Sequence, residues 1–254
     1  MIIAIAGMGR LGRTLAALLP AAGHEVRPWR RGEPKPSSDV VLLTVSDSAI
    51  AEVAAAWPRG PILLHTSGVT DVAPLRPHRP AGSLHPLQSF PGPEVAIPPM
   101  AQVPAAIAGD DEAREVARAI ALELGMRPFD VPGDRRLYHA AAVVAGNFAT
   151  VLLAEAARLL EAAGVAPELA PGILAPLAQA SVRQGGERGP AAALTGPFAR
   201  GDAEAVAAHV AAISLHSPAI TALYQELGRR AADLAREGCH ISPEEQLELI
   251  RCLK

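Results

Sequence analysis

Lysine is almost missing from this chain. Of its 23 basic residues, 21 are arginine and two are lysine: Lys35 in a proline-rich stretch and Lys254 at the last position. A mechanism built on a buried catalytic or Schiff-base lysine has almost nowhere to find one. Cysteine is equally scarce. Cys239 and Cys252, both in the last sixteen residues, make neither a disulfide framework nor a metal-type spacing, which points to a reducing compartment. A net charge of -3 leaves no surplus of positive charge for a sequence-independent grip on nucleic acid. No uninterrupted apolar run reaches the roughly 18–20 residues of a membrane span. The first residues also lack the charged start and long apolar stretch of a signal peptide, so a cytoplasmic protein free of membrane is expected.

What is abundant is small and apolar. Alanine occurs 52 times and half the chain is hydrophobic, enough for one large core or two modest ones across 254 residues. Short apolar runs at 1–6, 25–29, 40–45, 62–65, 105–108 and 127–131 read as strands, and the patterns at 10–22, 48–57 and 112–124 read as helices. This alternation predicts right-handed crossovers and a doubly wound, mainly parallel sheet. Proline density rises between about 74 and 104, where a loop wrapped over a site is expected. After Pro132-Gly133 the pattern turns helical: one helix of about thirty residues over 134–163, then helices at 167–184, 202–215, 218–237 and 243–253. The fold class expected is therefore α/β, with a dinucleotide-binding Rossmann domain over 1–131 and an all-helical substrate or dimerisation domain over 132–254. The long helix carries too much small apolar surface to stand in water, so it is expected as a domain spine or the interface of a homodimer.

Gly7-Met8-Gly9-Arg10-Leu11-Gly12 follows the first strand directly and opens the first helix. In that setting the first glycine permits the turn, the second lets a pyrophosphate approach the backbone, and the third lets helix and strand pack closely. The second strand should end with an Asp or Glu for the ribose 2′-hydroxyl of NAD. The chain instead has Val26-Arg27-Pro28-Trp29-Arg30-Arg31-Gly32, with no carboxylate. Guanidinium forks suit a 2′-phosphate, so NADP is expected as the cofactor, with Arg30 and Arg31 as its contacts.

Ligands of open parallel sheets lie beyond the carboxyl ends of the strands. Val45, Ser46 and Asp47 end the third strand, where the nicotinamide ribose would pass, although Ser46 or Asp47 equally suits a helix N-cap. His65 and Ser67 close the fourth strand in His65-Thr66-Ser67-Gly68, and His85 and Gln88 lie in Gly82-Ser83-Leu84-His85-Pro86-Leu87-Gln88-Ser89-Phe90; Ser67 and His85 are expected in the catalytic site, and His65 and Gln88 against the substrate. His139 and Asn147 are about two turns apart on one side of the long helix. There the histidine suits a proton donor and the asparagine an orienting group. For each of these residues the competing reading is structural: a histidine satisfied by backbone, a loop-stabilising bond, or interhelix bonds in a dimer core. Thr195 and Arg200 lie in a turn of the helical half, where Arg200 suits a substrate carboxylate or the neighbouring Asp202. No G-x-S-x-G elbow accompanies Ser67, and the spacing of His65, His85 and His139 matches no metal-ligand pattern, so neither a serine hydrolase nor a metal centre is expected.

Taken in order, the glycine loop and the strings H-T-S-G, G-S-L-H-P-L-Q-S-F, Y-H-A-A-A-V and L-T-G-P-x-x-R-G-D make the whole chain resemble one family. This is a family of Rossmann-like proteins with a C-terminal helical domain of unknown function, within the broad 6-phosphogluconate-dehydrogenase-like group. Ketopantoate reductase and pyrroline-5-carboxylate reductase are its better-known relatives by architecture, NADPH-linked and often dimeric through the helical domain. The resemblance implies an NADP-dependent reductase of a C=O or C=N group on a small carboxylate-bearing substrate, a ketopantoate-type 2-oxo acid being the concrete example. It also implies a lysine four residues before the helix-borne asparagine. Here Val143 occupies that place, with His139 one turn further away. The rival is a non-catalytic NADP(H)-binding sensor or dimeric interaction protein.

Overall fold

The computed structural model describes residues 1–90, 92 and 96–254. They form two compact units, 1–147 and 148–254.

The first unit contains a seven-stranded sheet in the order β2-β1-β3-β4-β5-β6-β7. Its strands are β1 (Ile2–Ala6), β2 (Glu25–Trp29), β3 (Val40–Leu43), β4 (Ile62–His65), β5 (Ala81–Pro86), β6 (Pro104–Gly109) and β7 (Arg127–Asp130). All neighbouring pairs are parallel except β5 with β6. Residue alternation builds a core on each face. Ile3, Ile5, Val40 and Leu42 pack with Leu15 of α1 (Arg10–Leu18) and Ile120 of α3 (Asp111–Glu123). Ala4, Ala6, Val41 and Leu43 pack on the other side with Ile50 and Val53 of α2 (Ile50–Ala55) and with Trp29 and Trp57. The chain leaves β1 for β2 on one side and then crosses to β3 on the other. The crevice of this doubly wound order therefore opens between the carboxyl ends of β1 and β3.

Two expectations need correction. The proline-rich stretch is not loop throughout, because Ala81–Pro86 forms β5, almost wholly buried and parallel to β4. Its sequence, AGSLHP, has one large apolar residue, so no period of two is visible. Buried small residues and the two neighbouring strands make it a strand. The helix expected over 134–163 is parted at Gly146 into α4 (Arg135–Ala145) and α5 (Asn147–Ala162), since glycine is among the weakest helix formers. The sheet ends at Asp130, next to the expected boundary. Contacts nonetheless group α4 with the sheet, and the units divide after Asn147.

The second unit is helical, comprising α5, α6 (Ala170–Arg188), the short α7 (Pro190–Ala193) and α8 (Gly196–Ala199), α9 (Ala203–Ser214), α10 (Pro218–Glu237) and α11 (Pro243–Cys252). Asp202, Ser217 and Ser242 cap α9, α10 and α11 through their side chains. Val206, Ala232, Ile241, Leu249 and Leu253 form its core. On α5 and α6, by contrast, Phe148, Val151, Ile173, Leu177 and Val182 are each at least half exposed. The run Arg135–Ala162 is also long and apolar enough, by length and composition, to cross a membrane, with a mean hydropathy of 1.6 over its best window.

Candidate active site

The glycine loop is shaped by three glycines with different physical duties. Gly7 has φ +101°, and a Cβ there would lie 2.8 Å from the Thr44 carbonyl oxygen. A Cβ on Gly12 would sit 2.0 Å from the Gly7 oxygen and 2.6 Å from Thr44 Oγ1. Thr44, which sequence reasoning passed over, donates its hydroxyl proton to the carbonyls of Ala6 and Gly7 and so pins the turn. At Gly9 a Cβ would meet nothing within 4 Å. It is the N-cap of the nine-residue α1, without a capping side chain and with no acidic residue in the first turn. First-turn amides left without a side-chain cap, at the positive end of the helix dipole, suit a pyrophosphate, so the residues present fit a dinucleotide. Met8 and Leu11 turn their side chains to the core, and Arg10 is exposed.

Arg30 and Arg31 follow β2 directly and are exposed. Arg31 pairs with Glu52 at 3.2 Å, the side chains being 73% and 68% exposed, a contact worth less than about 1 kcal/mol that leaves the guanidinium available. A carboxylate is present after all: Glu33 folds back, its Oε2 accepting the Arg30 N–H at 3.0 Å while its carbonyl accepts Trp29 Nε1–H. It lies one residue beyond the stretch in which sequence reading sought it. Lys35 is stacked over Trp29 and Trp57, at 5.4 and 5.9 Å from the ring centroids. Beyond β3, Val45 packs on the core while Ser46 and Asp47 are exposed. Ser46 stands at the N-cap of a single 3-10 turn without a side-chain capping bond.

The second concentration of polar groups lies at the carboxyl ends of β4 and β5 and the start of α4. His65 is fully buried. Its Nε2 donates to the Asp71 carbonyl (2.9 Å) and its Nδ1 accepts the Ser67 N–H (3.2 Å). Burial first, and the charge of Arg135 second, lower its pKa to about 4. Both ring nitrogens are therefore committed to its own loop, and the substrate contact expected of His65 has no free nitrogen to make it. Ser67 is also engaged. Its Oγ donates to Thr70 Oγ1 (2.8 Å) and accepts the Thr70 N–H (3.0 Å), and among the described residues no base accepts its proton.

His85 Nδ1 is hydrogen-bonded to the Tyr138 hydroxyl at 2.8 Å, with the rings at 89°. Burial, then Arg135 and His139, lower its pKa to about 4, so the ring is neutral at neutral pH. The His139 ring centroid lies 6.4 Å from that of His85, and among the described residues no hydrogen bond engages its nitrogens. Gly68 makes the approach possible, since a Cβ there would stand 2.7 Å from His139 Cδ2 and 2.9 Å from His85 Nε2. Arg135, at the first position of α4, donates from Nη2 to the Ser67 carbonyl at 2.9 Å and lies 6.0 Å from the Tyr138 ring. Its own pKa is lowered by burial.

The fold thus brings His65, Ser67, His85 and His139 into one cluster and adds Arg135, Tyr138 and Gly68, to which sequence reasoning gave no role. The i, i+3, i+4 spacing of Arg135, Tyr138 and His139 on a helix was the available signal. Gln88 is half-buried just past β5, and its side chain makes no hydrogen bond to the described residues. Asn147 is exposed and lies about 12 Å further along the helical run than His139, outside the cluster. Thr195 and Arg200 belong to the helical unit and are exposed, with Arg200 4.0 Å from Asp202. Among the described residues no group of three or more His, Cys, Asp or Glu side chains is placed to hold a metal.

A doubly wound sheet with a glycine-lined helix N-terminus at its switch point, followed by a helical unit, defines a Rossmann-type α/β protein. The chain belongs to the family described as Domain of unknown function (DUF2520), whose model matches residues 103–231. No curated protein matches it by sequence. Among solved structures it is similar to BF3122 of Bacteroides fragilis, provisionally named an NADP oxidoreductase (24% identity over 91% of this chain and 98% of that one, TM-score 0.75). It is also similar to TM1727 of Thermotoga maritima (24%, 92% and 98%, 0.74) and to 1-pyrroline-5-carboxylate reductase of Streptococcus pyogenes (15%, 99% and 98%, 0.61). These similarities are similarities of fold.

Proposed function

We propose that this protein is an NADP-dependent oxidoreductase that reduces the C=O or C=N group of a small substrate. The observation that carries the reading is a phosphate cradle open at Gly9 and, two strands along the same sheet edge, a cluster of imidazole, phenol and guanidinium groups. The names of the fold neighbours, two of which mention NADP or a reductase, agree with it.

Bound nicotinamide supplies the hydride in such chemistry. The amides of Gly7 to Gly12 would hold the pyrophosphate, Arg30 and Arg31 would meet the 2′-phosphate, and Val45, Ser46 and Asp47 would flank the ribose. Hydride addition to a carbonyl leaves an alkoxide that takes a proton from the unengaged His139 ring, whereas an imine takes that proton on nitrogen before the hydride adds to its carbon. His85, neutral and tied to Tyr138, fixes the position of that ring across Gly68. His65 and Ser67 hold the loop that carries Gly68. The experiment is a calorimetric titration with NADPH and with NADH, followed by oxidation of NADPH in the presence of carbonyl and imine substrates. Tighter binding of NADPH and measurable turnover support the reading. Equal affinities overturn the NADP preference, and binding without any turnover transfers the protein to the class of NADP(H)-binding sensors.

We also propose that the helical unit pairs with a second copy. The apolar residues left in water on α5 and α6 support a homodimer, which would cover the run that passes for a membrane span on composition. Light scattering on the full chain decides this, and a monomer at micromolar concentration rejects it.

A further inference from the structure

Two adjacent arginines open α4, and the chain treats them in opposite ways. Arg136 is exposed and takes the carboxylate of Asp134 through its Nε and Nη2. Arg135 is 9% exposed. Its Nη2 reaches the Ser67 carbonyl, while Nε and Nη1 are buried and have no hydrogen-bond partner among the described residues. A guanidinium stays charged throughout the physiological range, and burying it with open N–H groups is strongly unfavourable unless an acceptor arrives. Among the described residues no carboxylate forms an ion pair with it. The charged or titratable groups around it are Asp71, His65, His85 and Tyr138. Asp71 offers its backbone carbonyl to His65 and its Oδ1 to the Ala73 N–H. The two histidines are neutral, and Tyr138 presents its ring.

Ser83 adds a second open group. It pairs in register with His65 across β4 and β5, and its Oγ is fully buried with no partner among the described residues. Ser83 and His85, two apart on β5, share a face, as do in-register Ser83 and His65. An acceptor is therefore missing on the face of the sheet where the imidazoles converge.

We infer that Arg135 is an anion receptor of this site and that the anion is the carboxylate of the substrate. A cofactor phosphate seated in the cradle would not be that anion. The pyrophosphate belongs at the glycine loop and the 2′-phosphate beyond β2, whereas β4 lies two strands, roughly 10 Å, from β1 in the other direction. A carboxylate on Arg135 sets the rest of a small substrate beside His139 and His85. Arg200, the carboxylate contact expected from sequence, already has an acidic neighbour in Asp202. The inference rests on the oxidoreductase reading only in naming the anion a substrate.

The test reads binding alone. The full chain is melted and titrated with pyruvate, with its uncharged counterpart pyruvamide, and with inorganic phosphate at matched ionic strength, with and without NADPH. Pyruvate is expected to raise the melting temperature and pyruvamide to leave it unchanged. Arg135→Gln is expected to weaken pyruvate at least tenfold, with NADPH affinity kept and a ligand-free melting temperature no lower than that of the parent. Arg135→Lys, which keeps the charge, should retain part of the response. Several outcomes overturn the proposal: no response to pyruvate, an equal response to pyruvamide, an undiminished response in Arg135→Gln, or a lower ligand-free melting temperature in that variant, which would make Arg135 a structural cation. A response to phosphate in place of pyruvate overturns the carboxylate assignment. Pyruvate binding without NADPH binding overturns the oxidoreductase reading and leaves the receptor standing.

Discussion

Two stretches of the sheet's carboxyl edge are built from opposite materials. At the β1–β3 end the working surface is backbone: amides freed by missing side chains, at Gly9 above all, and turned into place by Thr44. At the β4–β5 end it is side chains, with three imidazoles, a phenol and a guanidinium held partly or wholly out of water. A backbone cradle tolerates few changes of shape but is indifferent to proton concentration. A buried cluster of titratable groups is sensitive to pH and depends on each partner. Along a single sheet edge, one polar surface is thus made of backbone and the other of side chains.

The largest effect that would sharpen this contrast is on catalysis. His139→Ala should lower turnover of an accepted substrate by about 10²- to 10⁴-fold, the usual worth of a general acid, while leaving the NADPH dissociation constant unchanged. Full residual activity would take the proton donor away from this end. At the other end, Gly12→Ala places a methyl group 2.0 Å from the Gly7 oxygen. It should cost about 3 kcal/mol of stability or more in denaturant unfolding and abolish NADPH binding.

A pH series separates the ends without any substitution. His65 and His85 each have a folded pKa of about 4 against 6.5 for the free side chain. The unfolded chain therefore binds more protons between those values. The stability contributed by their neutral forms is complete above about 6.5 and is lost as the pH falls toward 4, by about 2–3 kcal/mol for each ring. Melting curves over that interval should show the loss, and His85→Asn should flatten part of it. A profile unchanged in that variant would break the assignment. The smallest effect is at the cradle's edge. Arg30→Ala with Arg31→Ala should weaken NADPH by about 10- to 100-fold and NADH little, the worth of one or two charge-assisted hydrogen bonds. An unchanged preference would point to Glu33 as the ribose partner.

How legible each end was follows from its material. The cradle could be read from the chain because its residues are contiguous and their spacing carries the geometry: a strand, Gly7, Gly9 and Gly12, then a helix. Thr44 escaped because it comes from the neighbouring strand, 32 positions beyond Gly12. At the cluster end, His65, Ser67, His85 and His139 could be nominated by type, but type does not tell a free imidazole from a committed one. His65 and Ser67 turned out to be bound within their own loop, and only packing shows this. Arg135 and Arg136 are indistinguishable as letters. Their difference arises when the first turn of α4 meets the Gly68 loop and one guanidinium is covered. β5 was hidden for a related reason, since small, buried residues write no hydrophobic period.

The sequence by itself determined the alternation that makes a doubly wound sheet, the glycine cradle at its switch point, the helical second half and the scarcity of lysine, because each is written in local spacing or composition. Only the tertiary structure decided which polar residues share a site and which of them keep an open valence. Burial and hydrogen-bond partnership are properties of segments brought together from β4, β5 and α4. There His139 keeps a ring that no hydrogen bond engages among the described residues, beside Arg135, a guanidinium still short of acceptors.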